Sequence, residues 1–264
     1  MLASIDGAIG SVAEARVPID DDGLLRGDGA FEVMRLYQGR PFALKDHFAR
    51  LRGTCDGLRL EADHDALRGE VDALLGAAGP VDALLRLVLT RGGRRIAIVE
   101  PMPARATVAR VGTITYAPNR VLDGLKTLSY AGNMLAGRLA REPGFDEALL
   151  VTPHGRVLEG PTWSFFWVAA GRILTPPLED RILDSITRRY VLEECDAEEA
   201  VCTLDDVAVA DEAFIASTVR AVMPIAAVDE HELPAAPGPV TLDARQRLAR
   251  RIESELAATT APGS

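Results

Sequence analysis

The chain has 264 residues, of which 48% are hydrophobic, and a formal net charge of −10. That length and apolar content suit two modest domains or one large one around a substantial core, and exclude a disordered chain. The acidic balance argues against nucleic acid, whose phosphates want a basic face, but leaves room for a small anionic ligand held by a few local arginines.

Strands and helices alternate in two blocks. In the first, Phe31 to Tyr37 reads as a strand that turns at Gly39 into Pro41 to Leu44, a hairpin pattern. Asp46 is expected to cap a helix in which Phe48, Leu51 and Cys55 recur at helical spacing while His47 and Arg50 share a neighbouring face. A second helix is expected from Asp63 to Leu75, then strands over Ala83 to Thr90, Arg95 to Glu100 and Thr107 to Tyr116. Val-Asp-Ala-Leu-Leu occurs at Val71 and again at Val81, one recurrence across a Gly-Pro break and no repeat architecture.

The polar, Pro-broken Ala117-Pro118-Asn119-Arg120 is the expected joint. Beyond it, Tyr130 to Glu142 looks helical and stops at Pro143-Gly144. Glu147 to Val151, Val157-Leu158 after the His154-Gly155 turn, and Ser164 to Ala169 look like strands. Pro176 and Pro177 precede a helix over Leu183 to Cys195. Ala213 to Ser217 and Val222 to Val228 complete a sheet, Leu242 to Ala257 forms an amphipathic last helix, and Thr259 to Ser264 is expected to fray.

Cys55, Cys195 and Cys202 are odd in number and lack Cys-x-x-Cys spacing, and the chain opens with no basic stretch before an apolar segment. A cytoplasmic, reduced protein is the expectation. The longest apolar run, Trp163 to Ala170, is strand-sized, well short of the roughly 20 residues of a membrane span. His47, His64, His154 and His231 are scattered, so no metal site is expected.

Two of the 29 basic residues are lysines, Lys45 and Lys126, and the rest are arginines. A guanidinium stays charged and is no nucleophile, whereas a desolvated amine can lose its proton and attack a carbonyl. Amine chemistry is therefore confined to very few places. Read alone, Lys126 fits either that role or a surface lysine after the Asp123-Gly124 turn.

Five segments in order decide between these readings: Gly27-Asp28-Gly29-Ala30-Phe31-Glu32-Val33-Met34-Arg35, His47-Phe48-Ala49-Arg50-Leu51, Lys126, Glu159-Gly160-Pro161-Thr162, and Thr175-Pro176-Pro177 with Ile182 to Arg188. Together they resemble the class IV pyridoxal-phosphate enzymes, which include branched-chain and D-amino acid aminotransferases, (R)-amine transaminases and 4-amino-4-deoxychorismate lyase. The resemblance runs from about Gly27 to Pro224. It implies an α/β (α+β) chain of fold type IV. A smaller N-terminal α/β domain (1–116) and a linker (117–122) would precede a larger C-terminal cofactor-binding domain (123–264) with a barrel-like mixed sheet.

The resemblance also implies roles. Lys126 would form a Schiff base with pyridoxal 5'-phosphate and, once freed, shuttle a proton. Glu159 would face the pyridine nitrogen. Ile186 and Thr187 at a helix start, Thr218 and Arg50 would hold the phosphate, as a helix N-terminus, hydroxyls and an arginine suit it. Tyr130 would contact the phenolic oxygen, although it stands four positions after the lysine where the branched-chain enzymes have five. Ser164 stands where many relatives carry asparagine.

On the substrate side, Arg35 shares a strand face with Phe31 and Val33 and could grip a carboxylate. Arg91, Arg94 and Arg95 are the other candidates for the carboxylate, Arg94 foremost, and Phe31 and Val219 are further substrate-side candidates. The implied reaction moves an amino group from an amino acid or amine donor to a 2-oxo acid acceptor through a pyridoxamine intermediate. The alternative is 4-amino-4-deoxychorismate lyase, releasing pyruvate and 4-aminobenzoate; Lys126-Thr127-Leu128-Ser129-Tyr130 resembles some lyases. A third reading is a degenerate relative that keeps the cofactor as a structural ligand. A homodimer is implied by the same resemblance.

Overall fold

A computed structural model describes residues 1–104 and 106–258. Among the described residues the chain divides into two compact units, the first holding Met1–Ala104, Leu125–Tyr130 and 255–258, the second 106–124 and Ala131–Ser254.

The first unit is built on an antiparallel sheet. β1 (Leu2–Ile5) and β2 (Ala8–Ser11) form a hairpin that the sequence pattern does not reveal, because short strands of Ala, Ser and Gly carry little apolar alternation. After α1 (Asp22–Arg26), β3 (Gly29–Tyr37) turns back into β4 (Arg40–Pro41). Then come α2 (Leu44–Leu58), α3 (His64–Ala78), β5 (Ala83–Thr90) and β6 (Arg95–Pro101), giving the order β2-β1-β6-β5-β3-β4.

Ala30, Met34 and Leu36 of β3 and Leu85 and Leu87 of β5 pack with Leu51 of α2 and with Leu67, Val71 and Leu74 of α3. Each fully buried leucine stabilises by about 1.5–3 kcal/mol, so this helix-covered face holds the unit together. The period of two along β3 sends Phe31, Val33, Arg35 and Tyr37 to the opposite face.

Helix α2 starts before the expected cap. Ala43 is its N-cap, with φ 56°, and Asp46 lies in the first turn. The Ala43 N–H donates to Glu255 Oε1 at 2.8 Å, a partner 212 positions away that no local pattern discloses.

The second unit contains β7 (Ala109–Thr115), α4 (Ala131–Arg141), β8 (Glu147–Val151), β9 (Ser164–Ala169), β10 (Arg172–Thr175) and α5 (Ile186–Cys195). It continues with β11 (Glu198–Glu199), α6 (Leu204–Ala208), β12 (Glu212–Ser217), β13 (Ala221–Val228), β14 (His231–Glu232) and α7 (Pro239–Ala258). The sheet has the order β11-β10-β9-β12-β13-β7-β8, with β14 on β13. It is mixed: β13–β7 and β7–β8 are parallel, whereas β9–β12 and β12–β13 are antiparallel.

Its two ends are tied to one another. The bridge Val151↔Val157 extends β8, the bridge Arg156↔Thr203 and the bond Val157 N–H to Cys202 O join that segment to the chain just after β11, and the sheet curls into a barrel-like form. Val157-Leu158, expected as a strand, supplies these isolated bridges instead. Phe165, Trp167, Ile215 and Ile225 lie in the core of this sheet, and on β9 and β12 the directly paired Phe166 and Phe214 stack at 4.9 Å. Burial on both faces explains why these strands read as unbroken apolar runs.

Two helix starts differ from expectation because of capping. Helix α5 begins at Ile186, since Ser185 is the N-cap and its side chain accepts from Arg188 N. Helix α7 begins at Pro239, where the buried Glu212 carboxylate accepts from the N–H groups of Val240 and Thr241 at 3.0 and 2.8 Å. Among the described residues no helix is long and apolar enough to cross a membrane. The expected fraying of Thr259 to Ser264 lies outside the described residues.

Candidate active site

In the first unit the run that opens with Lys126 lies along β3. Phe31 N–H donates to Lys126 O at 3.1 Å, Leu128 N–H donates to Gly29 O at 2.8 Å, and Ala30 and Thr127 form an antiparallel bridge. The run thus belongs with the N-terminal sheet, whereas the expected boundary at residue 123 assigned it to the C-terminal domain. Gly29 makes the pairing possible: a Cβ there would lie 2.4 Å from Leu89 O and 2.7 Å from the Leu128 side chain. Lys126 N–H also reaches Thr54 Oγ1 of α2 at 3.3 Å.

With its backbone fixed on both sides, Lys126 places Nζ 4.5 Å from the centroid of the Phe31 ring. Tyr130 meets the same ring edge-on, with centroids 5.3 Å apart. Phe31 is therefore the shared surface for the amine and the phenol, two of the groups singled out in the sequence.

On the other face of β3, Glu32 is fully buried and accepts from Arg50 twice, Nε to Oε1 at 2.7 Å and Nη2 to Oε2 at 2.8 Å. His47 Nδ1 lies 2.8 Å from Oε2. Burial alone would push the Glu32 carboxyl up, but the Arg50 charge and the hydrogen bonds from Arg50 and His47 outweigh it and hold it at about 2. Burial pushes the His47 imidazole down from 6.5 despite the pull of Glu32. A carboxylate so held has no proton to give, so the neutral ring donates through Nδ1. Glu32 and His47 were not singled out for the site from the sequence; the i, i+3 pairing of His47 with Arg50 was the available signal.

Arg35 has the face of β3 that Phe31 occupies. Its guanidinium stacks over Tyr37, with 4.7 Å to the ring centroid, and its buried Nε has no hydrogen-bond partner among the described residues. Its neighbours are committed elsewhere: Arg86 of β5 makes a two-point pair with Glu100 of β6 at 2.6 and 3.0 Å. Arg94 donates Nη1 to Asp6 at 2.6 Å, Arg95 binds Glu70 at 2.9 Å, and Arg91 bonds the carbonyls of Arg59 and Leu58. Of the arginines considered for a carboxylate, Arg35 alone has no ion-pair partner among the described residues, whereas Arg94 is already matched by Asp6.

In the second unit Glu159 sits at the head of a tight turn. Its carbonyl accepts from Leu150 N at 2.9 Å and its Oε1 accepts from Leu183 N at 2.9 Å. Tyr116 is close enough that burial, reinforced by the Glu159 charge, raises its phenol. Gly160 N–H closes the turn onto Trp163 O at 2.8 Å. Only glycine fits there, because a Cβ would lie 1.9 Å from the Trp163 ring. Asn133 of α4 holds the same turn through Nδ2 to Pro161 O at 3.3 Å.

Ile186 and Thr187 form the first turn of α5, both buried. The N–H groups of a helix start have no intrahelical acceptors and carry its positive dipole end. Thr218 and Val219 sit in the three-residue tip Thr218-Val219-Arg220 between β12 and β13, where Ser217 pairs with Ala221. Ser164, at the start of β9, is fully buried, and its hydroxyl has no hydrogen-bond partner among the described residues. The first unit thus presents an amine, a phenol and a guanidinium; the second presents a carboxylate, a helix start and hydroxyls.

The family model described as "Amino-transferase class IV" matches residues 29–228. A putative branched-chain-amino-acid aminotransferase of Methanocaldococcus jannaschii is 32% identical, covering 85% of this chain and 87% of its own. A D-alanine aminotransferase of Bacillus licheniformis is 31% identical over 98% of this chain and 100% of its own. An aminodeoxychorismate lyase of Bacillus subtilis is 29% identical over 80% of each. Among solved structures, the fold IV transaminase CpuTA1 of Curtobacterium pusillum superposes with a TM-score of 0.84 at 28% identity, covering 94% of this chain and 92% of that one.

Proposed function

Because the chain belongs to the class IV amino-transferase family, we propose that it is a pyridoxal-phosphate-dependent aminotransferase moving an amino group between an amino acid or amine and a 2-oxo acid. The observation that carries this reading is the seating of Lys126, fixed by backbone bonds to β3 and α2 with its Nζ over Phe31.

The donor set fits the cofactor. Pyridoxal phosphate needs an amine for its aldehyde, a carboxylate for its ring nitrogen and positive or N–H donors for its phosphate, and the chain holds one of each. When bound, it supplies an aldehyde that takes up the amino group and a ring that withdraws electrons from the substrate carbon. Lys126 takes the proton from the substrate Cα and returns one during the transfer. Glu159, with one oxygen fixed by Leu183 N–H, keeps a proton on the ring nitrogen. The N–H groups at Ile186 and Thr187, the hydroxyls of Thr187 and Thr218 and the guanidinium of Arg50 hold the phosphate. Arg35, on the strand face it shares with Phe31, receives a substrate carboxylate, and Val219 is a further substrate-side candidate; Arg94 is the second candidate for the carboxylate and would have to leave Asp6.

We further place the protein in a reducing compartment, the cytoplasm, on the strength of three free cysteines of which two are buried. A homodimer is supported by the exposed apolar stripe Met134, Leu135 and Leu139 on α4; light scattering that finds a strictly monomeric, active protein would oppose it.

The test mixes the yellow protein with L- and D-amino acids in the absence of a 2-oxo acid and follows the visible band. Bleaching by a donor supports a transaminase and gives its hand. No bleaching by any donor, together with catalytic release of pyruvate from aminodeoxychorismate, selects the lyase, the second reading that the Bacillus subtilis relative favours.

A further inference from the structure

One carboxylate joins two loops of the second unit. Glu147 opens β8 and is 8% exposed, yet its partners come from elsewhere. Trp163 Nε1 donates to its Oε2 at 3.2 Å, and Arg220 Nη2 donates to its Oε1. Trp163 closes the turn that follows Glu159, with its ring over Gly160. Arg220 closes the tip that carries Thr218 and Val219, and its own N–H donates to Ser217 Oγ at 3.1 Å. A weaker link, Arg220 Nη1 to Thr162 Oγ1 at 3.4 Å, ties the tip to the turn directly.

The tip is not at rest. Ala221 follows it with φ 51°, a left-handed conformation that a residue with a Cβ adopts only when the surroundings impose it. The arginine has few alternatives either, since its side chain is 19% exposed beside a carboxylate at 11%. A buried ion pair with one further hydrogen-bond donor, the Trp163 indole, is a poor device for stability, because desolvation offsets most of the attraction, but a good one for fixing a geometry.

We propose that Glu147 and Arg220 are positioning residues: they hold the Thr218–Val219 tip and the turn after Glu159 at one separation, so that a bound pyridoxal phosphate meets both without reorganisation. This rests on the reading that Glu159 and Thr218 face that cofactor.

The test uses Arg220→Met, Arg220→Lys, Glu147→Gln and the double variant Glu147→Gln/Arg220→Met. As a control, Arg172→Met breaks the exposed Arg172–Glu198 pair of the same unit. Apoprotein of each is titrated with pyridoxal phosphate, and the melting temperature of the apoprotein and the visible circular dichroism of the bound cofactor are recorded. Arg220→Met and Glu147→Gln should weaken binding by about tenfold or more, as small misplacements at a site do, and should shrink the dichroism of the cofactor that remains bound. Arg220→Lys should recover part of both, the double variant should be no worse than the worse single one, and Arg172→Met should change neither.

Variants that melt earlier yet bind pyridoxal phosphate with normal affinity and dichroism would overturn the proposal, leaving the pair a structural strut. Should Arg220→Met fail to fold, Arg220→Lys and Glu147→Gln decide by the same measurements. Wild-type protein that takes up no pyridoxal phosphate would sink the reading of Glu159 and Thr218 itself; normal uptake by wild type with unchanged variants sinks the positioning role alone.

Discussion

The Nζ of Lys126 lies over the Phe31 ring at 4.5 Å from its centroid, and the same two residues are joined through the backbone bond from Phe31 N–H to Lys126 O at 3.1 Å. The ring therefore seats the amine when no aldehyde holds it, and the backbone bond fixes where the side chain starts. A cation over an aromatic face is worth about 0.5–2 kcal/mol. Phe31→Leu should accordingly reduce turnover by roughly 2- to 30-fold with little change in melting temperature, whereas Lys126→Ala should keep the fold and abolish turnover. Unchanged kinetics in Phe31→Leu would show that the seat is incidental.

Acid should destabilise the first unit through Glu32 and His47. Glu32 is held at about 2, below its ordinary 4.5, so its contribution is complete above pH 4.5 and drains away as pH falls toward 2. The difference corresponds to about 3 kcal/mol. His47, depressed from 6.5, adds a loss that begins as pH falls below 6.5, and His64 shifts the same way. Urea midpoints measured from pH 7 to pH 3 should fall for the wild type. Glu32→Gln removes the buried carboxylate charge that Arg50 and His47 share, and should lose about 3–5 kcal/mol at pH 7 and show a flatter acid slope. An equally steep slope in that variant would place the acid sensitivity elsewhere.

Arg35→Met should separate binding from chemistry. A two-point bond from guanidinium to carboxylate contributes about 1.5–3 kcal/mol, so KM for amino acids and 2-oxo acids should rise by roughly 10- to 100-fold while kcat changes less. An amine donor without a carboxylate should be affected little. If KM rises equally for that amine, Arg35 shapes the strand and does not bind substrate.

Gly160→Ala tests the turn after Glu159. The added methyl would start 1.9 Å from the Trp163 ring, so either the ring or the turn must move. The expected loss is about 1–3 kcal/mol of stability, together with cofactor that dialyses away. Gly155→Ala is the comparison: φ is +79°, but among the described residues nothing lies within 4 Å of the new Cβ, so strain alone acts and the cofactor should be retained. Equal cofactor retention in both variants would detach the turn from binding.

Much of this was legible without coordinates. Ala83–Thr90, Glu147–Val151 and Ser164–Ala169 are strands with the bounds their apolar runs suggested. Those runs are buried on one or both faces, and burial leaves its mark on composition. Strands β1, β2 and β10 and helix α6 escaped notice because they are short and their residues carry little periodicity. Helix starts were misplaced wherever the cap came from afar, as Glu255 does for Ala43 and Glu212 for Val240.

The sequence by itself determined the inventory: a lone pair of lysines, a glutamate ahead of a Gly-Pro turn, an arginine at helical spacing from a histidine, and the order in which these come. Residue type sets what a group can do chemically, and order along the chain is enough to carry the family resemblance. Only the tertiary structure decided which partners each group keeps. It laid the Lys126 run on β3, turned Glu32 inward onto Arg50 and His47, occupied Arg94 with Asp6 while leaving Arg35 without a counter-charge among the described residues, and made Glu147 the link between two loops. Those outcomes depend on contacts between residues tens of positions apart. Backbone pairing and burial select them, and neither is written in the local pattern of the chain.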